Sequence, residues 1–118
     1  MIGQTLQTET HVSNGVSVVA LHGDIDGGAD ATLQAAYTAA TRQGAGAVLL
    51  NFGGVGYINS TGIALIVGLL AQARKDRRQL LACGLSDHYR EIFEITRLSD
   101  FMTTYADETT AVAGAVLA

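Results

Sequence analysis

The run Ala47-Val48-Leu49-Leu50-Asn51-Phe52 is continuously apolar apart from Asn51. A stretch of this length without polar alternation reads as a central strand covered on at least one side. Beyond it the chain turns at Tyr57-Ile58-Asn59-Ser60-Thr61-Gly62 into an apolar helical segment, and Gln79 to Cys83 reads as another strand. A strand, a helix that crosses back over the sheet and a second strand make a βαβ unit, which requires a parallel pair. The expected class is therefore α/β: one domain over residues 1–118, with a mixed sheet of about four to five strands and about four helices mainly on one face.

The first strands are of another kind. Thr5 to Val12 and Val16 to Gly23 alternate, and Asn14-Gly15 between them tolerates the positive φ angles of a two-residue hairpin turn. That loop sets the register: Val12 faces Ser17, Thr10 faces Val19, Thr8 faces Leu21 and His11 pairs with Val18. One face, with Leu6, is largely apolar. The other, with Gln7, Glu9, His11, Val18, Ala20 and His22, is expected to be mostly wet.

Asp24-Ile25-Asp26-Gly27-Gly28-Ala29-Asp30 ends the second strand and reads as a turn plus a helix N-cap. A calcium loop counted from Asp24 would need Gly at the sixth position and Glu at the twelfth, where Ala29 and Ala35 stand. From Ala29 to Gln43, Leu33, Ala36, Tyr37 and Ala40 recur at helical spacing, with Gly44 as the expected stop. Gly53-Gly54-Val55-Gly56 lacks both the Lys-Ser/Thr of a P-loop and the G-x-G-x-x-G spacing, so its glycines are expected to turn the backbone. In the following helix Ile63, Ile66, Val67 and Leu70 form one stripe, with Leu65 and Leu69 off it, leaving room for deep burial or a dimer contact. Ser86 is placed to cap a helix whose Ile92, Phe93 and Ile95 face inward while Asp87, Arg90 and Glu94 stay wet. A short edge strand within Phe101 to Tyr105 and a last helix, Asp107 to Leu117, complete the order.

The 118 residues suffice for one core without staples, and the single Cys83 reads as a buried hydrophobe in a reducing cytoplasm. No stretch reads as a signal peptide, and none approaches the roughly 20 apolar residues of a membrane span. A net charge of −4 argues against nucleic acid. Arg74, Lys75, Arg77 and Arg78 fall at a helix C-terminus, where cations complement the dipole. His11 and His22 share a face but lie about 13 Å apart in this register, too far to share one zinc ion. No metal or other cofactor is expected.

The most informative stretch is Asn59-Ser60-Thr61-Gly62. The N–H groups of a first helical turn lack intrahelical partners, so a hydroxyl of Ser60 or Thr61 is expected to cap them, and the dipole favours an anion at the same place. The alternative use of either hydroxyl is as an exposed phosphoacceptor.

Three strings in order, Leu21-His22-Gly23-Asp24-Ile25-Asp26, Leu50-Asn51-Phe52 through Tyr57-Ile58-Asn59-Ser60-Thr61-Gly62-Ile63, and Ile92-Phe93-Glu94-Ile95-Thr96-Arg97-Leu98, resemble the STAS domain family of bacterial anti-sigma factor antagonists. The resemblance implies a non-enzymatic partner switch. An anti-sigma factor serine kinase phosphorylates the residue before the motif glycine, a metal-dependent PP2C-type phosphatase resets it, and the unphosphorylated antagonist holds the anti-sigma factor. On matching positions Thr61 is the implied phosphoacceptor, with Ser60 the second choice, and Asp24, Asp26, Asn59, Ser60, Thr61 and Gly62 form the implied partner-binding surface. Asn59 stands where the family usually has Asp, and Thr61 where it has Ser. The alternative is a scaffold subunit of a transporter or signalling complex without phosphoryl control. A small enzyme using Ser60 or Thr61 would need a base such as His88 beside it. The implied protein is a cytoplasmic monomer or weak dimer.

Overall fold

The computed structural model describes residues 4–43 and 46–117. Five strands form one sheet in the order of the chain: β1 (Gln7–Ser13), β2 (Val16–Ile25), β3 (Ala47–Ile58), β4 (Gln79–Cys83) and β5 (Thr104–Tyr105). β1 is antiparallel to β2 and every later pair is parallel. The helices are α1 (Asp30–Arg42), α2 (Ser60–Lys75), α3 (Asp87–Ile95) and α4 (Glu108–Leu117). The hairpin register is the one the two-residue turn dictates, with Val12 opposite Ser17 and His11 opposite Val18; Asn14 and Gly15 both have positive φ, 48° and 81°.

Crossovers of one hand that add strands always in the same direction deposit their helices on one side. Leu33, Ala36, Tyr37 and Ala40 of α1, Ile66, Leu69, Leu70 and Ala73 of α2 and Phe93 of α3 accordingly share one core with Val19, Leu21, Val48, Leu50, Phe52, Leu80 and Ala82. Phe93 meets Phe52 edge-on with ring centroids 5.9 Å apart. The buried hydroxyl of Ser17 donates to the Ala40 carbonyl at 2.9 Å, so a polar side chain on the dry face has its partner in α1.

Several expectations are corrected. The second sheet face is not mostly wet: α4 lies across its first half, where Ala111 and Val112 pack on Val16, Val18, Leu49, Leu81 and Cys83, and Val18 is fully buried. The glycines of Gly53-Gly54-Val55-Gly56 do not turn the chain. β3 runs through them, because β2 extends alongside to Ile25 and accommodates the mismatch in register shifts after Ala20 and Gly23. A side chain on Gly54 would strike the His22 imidazole and the Leu21 carbonyl. In α2 the buried stripe is rotated: Leu69 is buried and Val67 is 47% exposed, since α2 crosses toward β4 through Ile66, Leu69, Leu70 and Ala73. Ile95 is 72% exposed because it lies two residues from buried Phe93, over half a turn round the helix. The expected stop at Gly44 lies outside the described residues. At the C-terminus of α2 the guanidinium of Arg74 stands 5.2 Å over the Phe101 ring, which ties that cation to the loop after α3.

Candidate functional site

β3 ends at Ile58, and its last amide donates to the Tyr89 hydroxyl of α3 at 2.9 Å. The Asn59 amide donates to the Ile25 carbonyl at 3.2 Å, so the two parallel strands finish together at the start of α2. Asn59 is extended (φ −91°, ψ 179°), and its Oδ1 accepts the Gly62 N–H at 2.8 Å. That is an N-cap. The expectation that Ser60 or Thr61 caps the helix is therefore corrected. The amide side chain one residue earlier sits at the non-helical position from which an oxygen reaches the third helical N–H, while Ser60 and Thr61 already have helical geometry.

Both hydroxyl residues are exposed, and among the described residues neither hydroxyl makes a hydrogen bond. No acidic residue occupies the first turn of α2, so the positive end of its dipole is not offset there. Gly62 is buried with its Cα against β2: a Cβ there would collide with the Ile25 carbonyl. Glycine at this position is what lets the helix start so close to the end of the strand.

The two acids separate. Asp26 Oδ1 accepts the Gly28 N–H at 2.9 Å and caps a 3-10 turn, Gly27–Ala29, whose Gly27 lies against the Thr61 methyl. Asp24 Oδ2 accepts the Gln4 N–H at 2.9 Å, and Asp24 pairs with Tyr57 across β2 and β3. The turn that Asp26 caps thus adjoins Thr61, while Asp24 anchors the segment before β1. Sequence reasoning missed Tyr89 and Gly27; both meet the motif only through the crossing of non-adjacent elements, and no local pattern marks either.

The imidazoles are engaged elsewhere. His11 Nε2 lies 2.9 Å from Glu108 Oε2, at the start of α4; His22 lies over Gly54; His88 meets the Tyr89 ring edge-on at 4.8 Å. Among the described residues no base is hydrogen-bonded to either hydroxyl, no group of three or more His, Cys, Asp or Glu could hold a metal ion, and no helix is long and apolar enough to cross a membrane.

A sequential sheet, β1 antiparallel and the rest parallel, with three helices on one face and a capped helix start presenting two exposed hydroxyls, defines a single-sheet α/β domain. The chain belongs to the STAS domain family, whose model matches residues 7–111. It is 31% identical over 97 residues to the anti-sigma-B factor antagonist of Staphylococcus aureus, an alignment covering 82% of this chain and 90% of that protein. Its fold is similar to that of an anti-sigma factor antagonist from Mycobacterium paratuberculosis, with TM-score 0.77, 19% identity and 93% of each chain covered. The Bacillus cell fate determinant SpoIIAA in its phosphorylated form superposes with TM-score 0.64 at 23% identity, covering 90% of this chain and 96% of that one.

Proposed function

We propose that this chain is an anti-sigma factor antagonist working in a partner switch. It binds an anti-sigma factor serine kinase through the surface around Asp24, Asp26, Asn59, Ser60, Thr61 and Gly62, is switched by phosphorylation of Thr61, and is reset by a PP2C-type phosphatase. The observation that carries the reading is the cap. Because Asn59 holds the Gly62 N–H, the Thr61 hydroxyl is exposed and unbonded at a helix start. Asn in place of the usual Asp keeps that structural role.

In the transfer, Thr61 Oγ1 attacks the γ-phosphorus of ATP, the bond to the β–γ bridging oxygen breaks, ADP leaves, and the hydroxyl proton passes to the kinase or solvent. The product carries about −1.5 to −2 charge where the α2 dipole favours an anion, so the helix persists and the switch acts at the contact surface. Added charge and bulk then repel a partner that fitted the bare hydroxyl. The named function of the Staphylococcus aureus relative and the phosphorylated state of SpoIIAA support this reading.

The test is intact-mass measurement after incubation with ATP and the cognate anti-sigma kinase, beside Thr61→Ala and Ser60→Ala. One added phosphate, lost in Thr61→Ala and kept in Ser60→Ala, is the expected result. Stable binding to the kinase with no phosphate gained would replace this reading with that of an unregulated scaffold.

A further inference from the structure

Gly27 opens the 3-10 turn that follows β2, and it is exposed. Unlike Gly15, Gly23 and Gly84, it does not have a positive φ, so its backbone conformation is open to other residues. What sets it apart is its neighbour. A methyl group added to Gly27 would lie 3.3 Å from Thr61 Cγ2 and 3.9 Å from Thr61 Cβ, and chain neighbours aside it would meet nothing else within 4 Å among the described residues. Carbon atoms in comfortable contact stand about 3.5–4.0 Å apart. The space that Gly27 leaves is therefore filled by the branch of Thr61 that serine lacks.

We propose that Gly27 is a positioning residue for Thr61. Its missing Cβ forms a seat for the threonine methyl. A threonine in a helix divides between two χ1 wells, which place Cγ2 and Oγ1 differently. With the methyl seated against Gly27, the well is chosen and Oγ1 takes the remaining branch position. A side chain at position 27 crowds the seat and drives Thr61 toward a well in which a smaller substituent, Oγ1 or Hβ, replaces the methyl. The pairing of Gly27 with Thr61 is how this chain presents a β-branched acceptor in one orientation. The consequence for phosphoryl transfer rests on the partner-switch reading; the seat does not.

Two readouts separate them. In labelled protein, three-bond couplings from Thr61 Cγ2 to its backbone nitrogen and carbonyl carbon report χ1 directly. The wild type is expected to occupy mainly one well, and Gly27→Ala, with its amide spectrum otherwise unchanged, to move population into another. Couplings already averaged in the wild type, or the same in Gly27→Ala, overturn the seat whatever the kinase does. In single-turnover phosphorylation, Gly27→Ala is expected to slow transfer to Thr61 by roughly threefold to tenfold. Gly27→Ala/Thr61→Ser is expected to match Thr61→Ser alone, because serine needs no seat. Equal slowing in both backgrounds shows a general distortion of the turn and overturns the proposal. A wild type that takes no phosphate defeats the partner-switch reading, and the couplings still decide the seat.

Discussion

Asn59 Oδ1 accepts the Gly62 N–H at 2.8 Å, and this bond divides the labour at the start of α2: one residue closes the helix and the next two present hydroxyls. Asn59→Ala is expected to lower unfolding stability by about 1 kcal/mol, and Asn59→Asp to keep it within a few tenths. Urea denaturation of the three proteins measures both. Since the cap and not the hydroxyls holds the helix end, Ser60→Ala and Thr61→Ala should each be near neutral in the same assay.

Gly62 tests how closely the helix must approach the strand. Gly62→Ala places a Cβ into the Ile25 carbonyl, and neither backbone can move without breaking the Asn59 to Ile25 bond. The expected cost is about 2 kcal/mol, with amide shifts concentrated at Ile25, Asn59 and Thr61. In a solvent-exposed helical turn the same change would stabilise, so the sign of the effect decides between the two situations.

Thr61→Glu should leave the far-UV circular dichroism and the urea midpoint close to wild type, because a carboxylate in a first helical turn is favoured by the dipole. Its affinity for the anti-sigma partner is expected to fall at least about tenfold, a modest electrostatic and steric cost of about 1.4 kcal/mol at a contact surface. Calorimetric titration against the wild type reads the difference. Unchanged affinity with an intact fold would sink the charge-and-bulk account of the switch.

At the other end of α2, the Tyr37 hydroxyl donates to Asp76 Oδ2 at 2.8 Å. Burial, then the bond to the Asp76 carboxylate and its negative charge, push the phenol from 10.0 to about 12. The folded state thus holds this proton more tightly than the unfolded chain does. Its contribution is complete below pH 10.0 and is lost as pH rises toward about 12. Stability measured between these limits should fall more steeply in the wild type than in Tyr37→Phe.

Cys83 lies fully buried beneath α4, and burial, then the charges of Glu108 and Asp107, raise its thiol from 9.0 to about 11. Near neutral pH the native protein should react with a thiol reagent only through opening, at least about a hundredfold more slowly than in urea. Val112→Asp, which places a charge where α4 meets the sheet, should accelerate labelling while the hairpin and α1 amides keep their shifts. Equal rates in the native and unfolded proteins would mean that α4 does not cover the thiol.

Much of this molecule was legible locally. Asn14-Gly15 carries the hairpin register, because a two-residue turn leaves no freedom in pairing. The spacing of Leu33, Ala36, Tyr37 and Ala40 marks the buried side of α1, because helical period alone decides which residues share a face. The strings around Asp26 and Thr61 mark the family. What the chain could not declare is where distant elements meet. Val18 reads as one apolar residue on a wet strand face until α4, nearly a hundred residues later, is laid over it. The glycines of β3 read as a turn until β2 is placed beside them. The division at the helix start, Asn59 capping and Thr61 held against Gly27, depends on Ile25, Gly27 and Tyr89 converging from three elements. Local propensity sees neighbours in sequence, whereas excluded volume and hydrogen-bond pairing act between neighbours in space, and only the tertiary structure brings those together.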